Sequence, residues 1–225
     1  MPTIWIIFFG VILLSWLVNN QLKSRFKKYS QIAMNNGMTG KEVAEKMLSD
    51  NGIYDVEVGS VQGELTDHYN PLNKKVNLSR GVYNSKSVAA AAIAAHECGH
   101  ALQHAHEYSF LKMRSALVPV VTATSKWMHW VLLAGIILVE SFPGLLLAGI
   151  IMFAITTLFS FITLPVEINA SQRALAWLNK SNITTNSTHP YAKDALKWAS
   201  YTYVIAALGS LAALLYYVSI FMGRR

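Results

Sequence analysis

A single cysteine in 225 residues excludes an intrachain disulfide and says little about compartment. Charge is scarce as well. Only 14% of the residues are Asp, Glu, Lys or Arg against 53% hydrophobic, and the apolar excess sits in long runs rather than in a dispersed core. The 12 acidic residues are outnumbered by 19 basic ones, and the resulting net charge of +7 invites a nucleic-acid partner. The basic residues flank apolar runs, however, so membrane topology accounts for them and no nucleic acid is expected. A cleaved leader is not expected either. The first apolar run has no basic segment before it and no small-residue cleavage site after it.

What the chain has in abundance is membrane-length hydrophobic sequence. Residues 4–18 (IWIIFFGVILLSWLV), 145–164 and 204–222 carry no charge, and each approaches the roughly 20 residues that cross a bilayer. A fourth run, 117–139, is interrupted by Lys126 and His129, and Lys126 is expected to snorkel to the interface. The expected fold is therefore a mainly α membrane protein with about four transmembrane helices. Lys23, Arg25, Lys27 and Lys28 directly follow the first run and mark it as an uncleaved anchor. Twelve of the 19 basic residues lie within 23–114 and four more within 173–197. The positive-inside rule places both segments in the cytoplasm, with Arg224 and Arg225 on the far side against the trend. Asn-x-Ser/Thr matches at Asn77, Asn169, Asn182 and Asn186 all fall in the cytoplasmic segments, where they are coincidental.

This reading divides the chain into an anchor (1–22), a cytoplasmic segment (23–115), a transmembrane hairpin (116–165), a second cytoplasmic segment (166–200) and a last transmembrane helix (201–225). In the first cytoplasmic segment, Thr39 with Glu42 predicts a capping box opening a helix that Gly52 ends. Alternation over 54–61 and more briefly over 75–78 predicts strands, with turn chemistry in Asp67-His68-Tyr69-Asn70-Pro71 between them. A small sheet of two or three strands is expected against the helix that follows. Its edge either aligns a substrate backbone by strand addition or simply packs that helix.

That helix is the centre of the chain. The run VAAAAIAA (88–95) contains no proline, glycine or strand-like alternation, so it reads as helix, capped by Ser85 or Ser87. It ends in His96-Glu97-Cys98-Gly99-His100. Four residues apart on a helix, His96 and His100 share a face and can offer two imidazoles to one metal ion. Zinc suits such a pair when a third protein ligand is added, and Glu97 stands at the edge of the face as a catalytic base. His104 lies about 12 Å beyond His96 if the helix continues. His106 lacks the glycine turn that a third histidine there requires, since Gln103 occupies its position. Neither is expected to bind the same ion, and Cys98 is expected to be a packed thiol.

Elimination points to Glu167 as the third ligand. Downstream of His100 the carboxylates are Glu107, Glu140, Glu167 and Asp194. Glu107 is too far along the histidine helix, and Glu140 belongs to the opposite membrane face. Asp194, beside Lys193 and Lys197, reads as an ordinary surface charge. Glu167 lies where a two-span hairpin returns the chain to the histidine side.

With these residues in hand, the chain resembles the YugP-like membrane zinc metallopeptidase family over nearly its whole length. DHYNPLNKKVNLSRGVYNSKSVAAAAIAAHECGHALQ (67–103) and LPVEINASQRAL (164–175) carry the resemblance. It implies that His96, His100 and Glu167 bind Zn2+, that Glu97 is the base, and that a small zincin-like α+β part carries the HExxH helix. Similarity to heat-shock membrane proteases of the HtpX type is weaker, because those carry an aspartate four residues after the ligand glutamate where this chain has Ser171. The expected function is a zinc-dependent endopeptidase of the cell membrane, acting on a protein or peptide substrate at the cytoplasmic face. Tyr69, His68 and the later histidines are candidates for the oxyanion partner. An intramembrane protease and a non-catalytic membrane zinc-binding scaffold are the alternatives.

Overall fold

The computed structural model describes residues 2–223, with side chains from Phe8 onward. In chain order the elements are α1 (Pro2–Tyr29), α2 (Gly40–Asp50), β1 (Glu57–Val61), β2 (His68–Asn70), β3 (Lys75–Ser79), α3 (Arg80–Tyr83), α4 (Val88–Ala105), α5 (Ser109–Ile137), α6 (Pro143–Lys180) and α7 (His189–Met222). The chain forms two compact units, one of residues 1–17, 112–165 and 202–225, the other of 18–111 and 166–201.

The first unit is helical. Among the described residues, three helices are long and apolar enough to cross a membrane: α5, α6 and α7. Their outward side chains include Trp127, Trp130, Ile137, Ile151, Leu158, Leu208 and Leu215, the inverse of a water-facing surface. Small residues allow close packing. A Cβ on Gly135 would stand 2.6 Å from the Leu146 Cα, so the α5–α6 hairpin needs glycine there. The α6 helix runs without a break through Pro165, although proline removes one backbone donor. The apolar run 4–18 lies on α1, partly outside the described side chains. Arg224 and Arg225 are also outside the described residues.

The second unit carries a three-stranded sheet in the order β1-β3-β2, with β1 parallel and β2 antiparallel to the buried central strand. His68–Asn70, expected as part of a turn, is instead the edge strand β2, because its backbone pairs with Lys75–Asn77. Helix α4 is buried along most of its length. It meets Val43, Ala44, Met47 and Leu48 of α2, Val76 and Leu78 of β3, and Ala174 and Leu178 of α6 in one apolar core. Its alanines explain this, since short side chains let several elements approach one helix. Both caps predicted for this unit are present. Thr39 and Glu42 form a reciprocal capping box on α2, and Ser87 Oγ accepts from the Ala90 N–H at the start of α4.

Asp194 departs from its sequence reading as a surface charge. Its carboxylate pairs with Arg25 and accepts the Tyr29 hydroxyl at 2.6 Å. Arg25 also lies over the Trp198 ring at 4.8 Å. Lys193 and Lys197 surround it in sequence, but the packing of α1 against α7 chooses its partner.

Candidate metal centre

Helix α4 presents His96 and His100 on one face, as four-residue spacing requires, and α6 delivers Glu167 opposite them. The His96 Nε2 to Glu167 Oε2 distance is 3.3 Å, and that from His100 Nε2 is 3.5 Å. The three donor atoms all lie within 4.8 Å of one another, and this is the metal-competent group among the described residues. The spacing is chemically informative. Ligands at 2.0–2.1 Å from a tetrahedral zinc are about 3.3–3.4 Å apart, whereas an N–H···O hydrogen bond would draw the same atoms to about 2.9 Å. Both nitrogen-to-oxygen separations match that spacing, and two imidazole nitrogens with a carboxylate oxygen suit zinc in donor type.

Close approach of the two helices makes the spacing possible. A Cβ on Gly99 would sit 2.6 Å from the Ala170 carbonyl oxygen and 3.1 Å from that residue's Cα, so only glycine fits between His96 and His100 at this crossing. Cys98, on another face, is fully buried and donates its Sγ proton to the Ala44 carbonyl at 3.5 Å. It is a packed thiol.

The electrostatics follow from burial and pairing. Burial would raise the Glu167 carboxyl, but hydrogen bonding and charge from His100 and His96 outweigh it and hold the group well below the ordinary carboxylate range. Burial would lower His100, but Glu167 and Glu97 reverse the sign and raise it above its usual 6.5. Without metal, the site therefore favours an ion pair.

Around the donors lies a set of hydrogen bonds. His96 Nδ1 faces the Ser171 hydroxyl at 3.1 Å, and His100 Nδ1 faces Gln103 Oε1 at 3.0 Å. Glu97 Oε2 accepts the backbone N–H of Tyr69 at 3.0 Å, so the outer edge of β2 is turned toward the proposed base. The Tyr69 hydroxyl reaches His104 Nδ1 at 2.8 Å. His106, the C-cap of α4, accepts from Arg173 at 3.0 Å. His104 and His106 thus stand outside the converging group, and His68 is turned to Thr66 and Asn77. Sequence reasoning passed over Ser171 and Gln103 as partners of the histidines. The signal was available for Ser171, which is one helical turn beyond Glu167. Nothing local marked Gln103.

The chain matches, over residues 4–222, the model of a family described as "putative neutral zinc metallopeptidase". It is 42% identical over 212 residues to the "putative membrane protease YugP" of Bacillus subtilis (strain 168), covering 94% of this chain and 93% of that protein. No solved structure matches significantly.

Proposed function

The chain belongs to this neutral zinc metallopeptidase family, and from that premise we propose that it is a membrane-anchored zinc endopeptidase whose site faces the cytoplasm. One observation carries the proposal: His96, His100 and Glu167, from helices far apart in sequence, bring their donor atoms within 4.8 Å of one another, with Glu167 Oε2 at 3.3 and 3.5 Å from the two imidazole nitrogens. These three residues would hold the ion. When bound, zinc supplies a Lewis acid that polarises a peptide carbonyl and makes water more acidic.

The chain's own groups do the rest. Glu97 is buried beside the ligands, with one carboxylate oxygen fixed by the Tyr69 N–H. The other oxygen takes the proton of the attacking water and passes it to the nitrogen of the leaving amine. The outer edge of β2 lies beside Glu97, and a substrate strand pairing along it would displace Glu97 from the Tyr69 N–H. Helix α1, with Phe8, Phe9, Leu13, Leu14 and Trp16 turned outward, serves as a fourth membrane helix in this reading. The cytoplasmic orientation rests on the 12 basic residues of 23–114. Burial of α4 against α2, whose other face carries Lys41, Glu45 and Lys46, speaks against a site within the bilayer.

Glu97→Gln keeps both the size of the side chain and an oxygen for the Tyr69 N–H. Zinc content of the purified variant should equal that of wild type, while hydrolysis of a quenched-fluorescent peptide library should fall by at least a hundredfold. Undiminished cleavage would remove Glu97 from its role. Absence of cleavage in wild type with stoichiometric zinc would leave a metal-binding scaffold.

A further inference from the structure

Gln103 is fully buried, yet both of its polar atoms are hydrogen-bonded. Its Nε2 donates to the Val166 carbonyl at 2.7 Å and to Asn169 Oδ1 at 3.0 Å. A main-chain carbonyl can only accept, so the amide nitrogen must face Val166, and Oε1 must therefore face His100 Nδ1 at 3.0 Å. The orientation of the amide is settled by chemistry. It follows that His100 carries a proton on Nδ1 and, when neutral, turns the lone pair of Nε2 toward Glu167.

We propose that Gln103 is a positioning residue that sets the tautomer and ring orientation of His100 and, through Val166 and Asn169, registers the helix carrying Glu167 against the histidine helix. The inference rests on the zinc reading of the site. Two features of the network fit this role. Val166 immediately precedes Glu167, so the Gln103 bond grips α6 next to the third donor. Asn169 Oδ1 also accepts from Arg173 Nε at 2.8 Å, and Arg173 Nη1 donates to His106 Nδ1 at 3.0 Å, which closes the network back onto the end of α4. A histidine donor and a carboxylate donor separated by 67 positions are thus tied through one side chain. His96 has a partner of a different kind. The Ser171 hydroxyl rotates and can either donate or accept, so it does not dictate a tautomer.

The test uses the full-length protein in detergent micelles. Gln103→Met retains length and removes every hydrogen bond. Zinc affinity, measured by competition with a chromophoric chelator, should fall by about 10- to 100-fold, the usual loss when the partner of a ligand is removed. Zinc-loaded wild type labelled with 15N-histidine should show His100 coordinated through Nε2 with a slowly exchanging proton on Nδ1. At saturating zinc the variant should lose that slow exchange, which a purely structural glutamine would leave in place. Zinc binding by Gln103→Met within twofold of wild type, or coordination of His100 through Nδ1, would overturn the inference. Should the variant fail to fold, the wild-type spectrum decides. Failure of wild type to bind zinc would instead bring down the reading of the whole site, and Gln103 with it.

Discussion

Adding one methyl group at Gly99 separates the stability of this protein from its proposed metal binding. In the crossing of α4 and α6, the new Cβ of Gly99→Ala would lie 2.6 Å from the Ala170 oxygen, about 0.8 Å short of ordinary contact near 3.4 Å. The obstructing atoms are backbone, so the helices themselves must part. Overpacking of this kind costs about 1–3 kcal/mol. Replacing a mid-helix glycine by alanine returns about 1 kcal/mol through helix propensity. The net loss is roughly 0–2 kcal/mol, and the fold should survive it. The metal site should not. Glu167 lies three residues from Ala170, and a displacement of about 0.8 Å is several times the ±0.2 Å that metal–ligand distances tolerate. Gly99→Ala should therefore purify as a folded protein with a melting temperature within a few degrees of wild type, while its zinc affinity falls at least tenfold. Thermal unfolding in detergent and chelator competition measure the two quantities on one preparation. Wild-type zinc affinity in this variant would refute the argument that close backbone approach sets the ligand geometry.

Three further outcomes are expected. Glu167→Ala removes the one carboxylate donor, so metal content after dialysis should drop to substoichiometric levels while far-UV circular dichroism is unchanged; retained zinc would send the third ligand elsewhere. Zinc binding must displace a proton from His100, which is raised above 6.5, so affinity should fall with decreasing pH through that value. In the metal-free protein the depressed Glu167 contributes stability fully above about 4.5, lost at lower pH, and the raised His100 contributes fully below 6.5, lost as pH rises through its folded value. Apo stability should accordingly peak between those limits, and a maximum above pH 8 would contradict the pairing. Asp194→Ala leaves Arg25 and Tyr29 without their shared acceptor. The Arg25 and Asp194 side chains are 32% and 28% exposed while Tyr29 is buried, so the loss should be about 0.5–1.5 kcal/mol, read as a lowered melting temperature, where a surface charge would give no change.

Much of the candidate site is visible without coordinates. The pairing of His96 with His100 needs only the 3.6-residue turn, and the capping box of Thr39 and Glu42 needs only a three-residue span. Membrane-length runs declare α6 and α7 by composition. Bringing Glu167 into the candidate group needed more, namely a count of apolar runs and a short supply of carboxylates, because so few acidic residues follow His100. The strand β2 was hidden because His68-Tyr69-Asn70 has turn-forming neighbours, and three residues are too few for alternation to register. Asp194 was misread for a related reason: its lysine neighbours lie in sequence, while Arg25 and Tyr29 approach from α1.

The division follows from the range of the forces involved. Helix periodicity, caps and hydrophobic length are properties of a few consecutive residues, so the linear order of side chains was enough to place two imidazoles together and to mark helices long and apolar enough to cross a membrane. The separation of Glu167 from those imidazoles, the fit of Gly99 against Ala170 and the grip of Gln103 on Val166 join segments more than sixty residues apart. Those depend on how closely two particular helices pack, and close packing is settled only when every side chain in the core has found its neighbours.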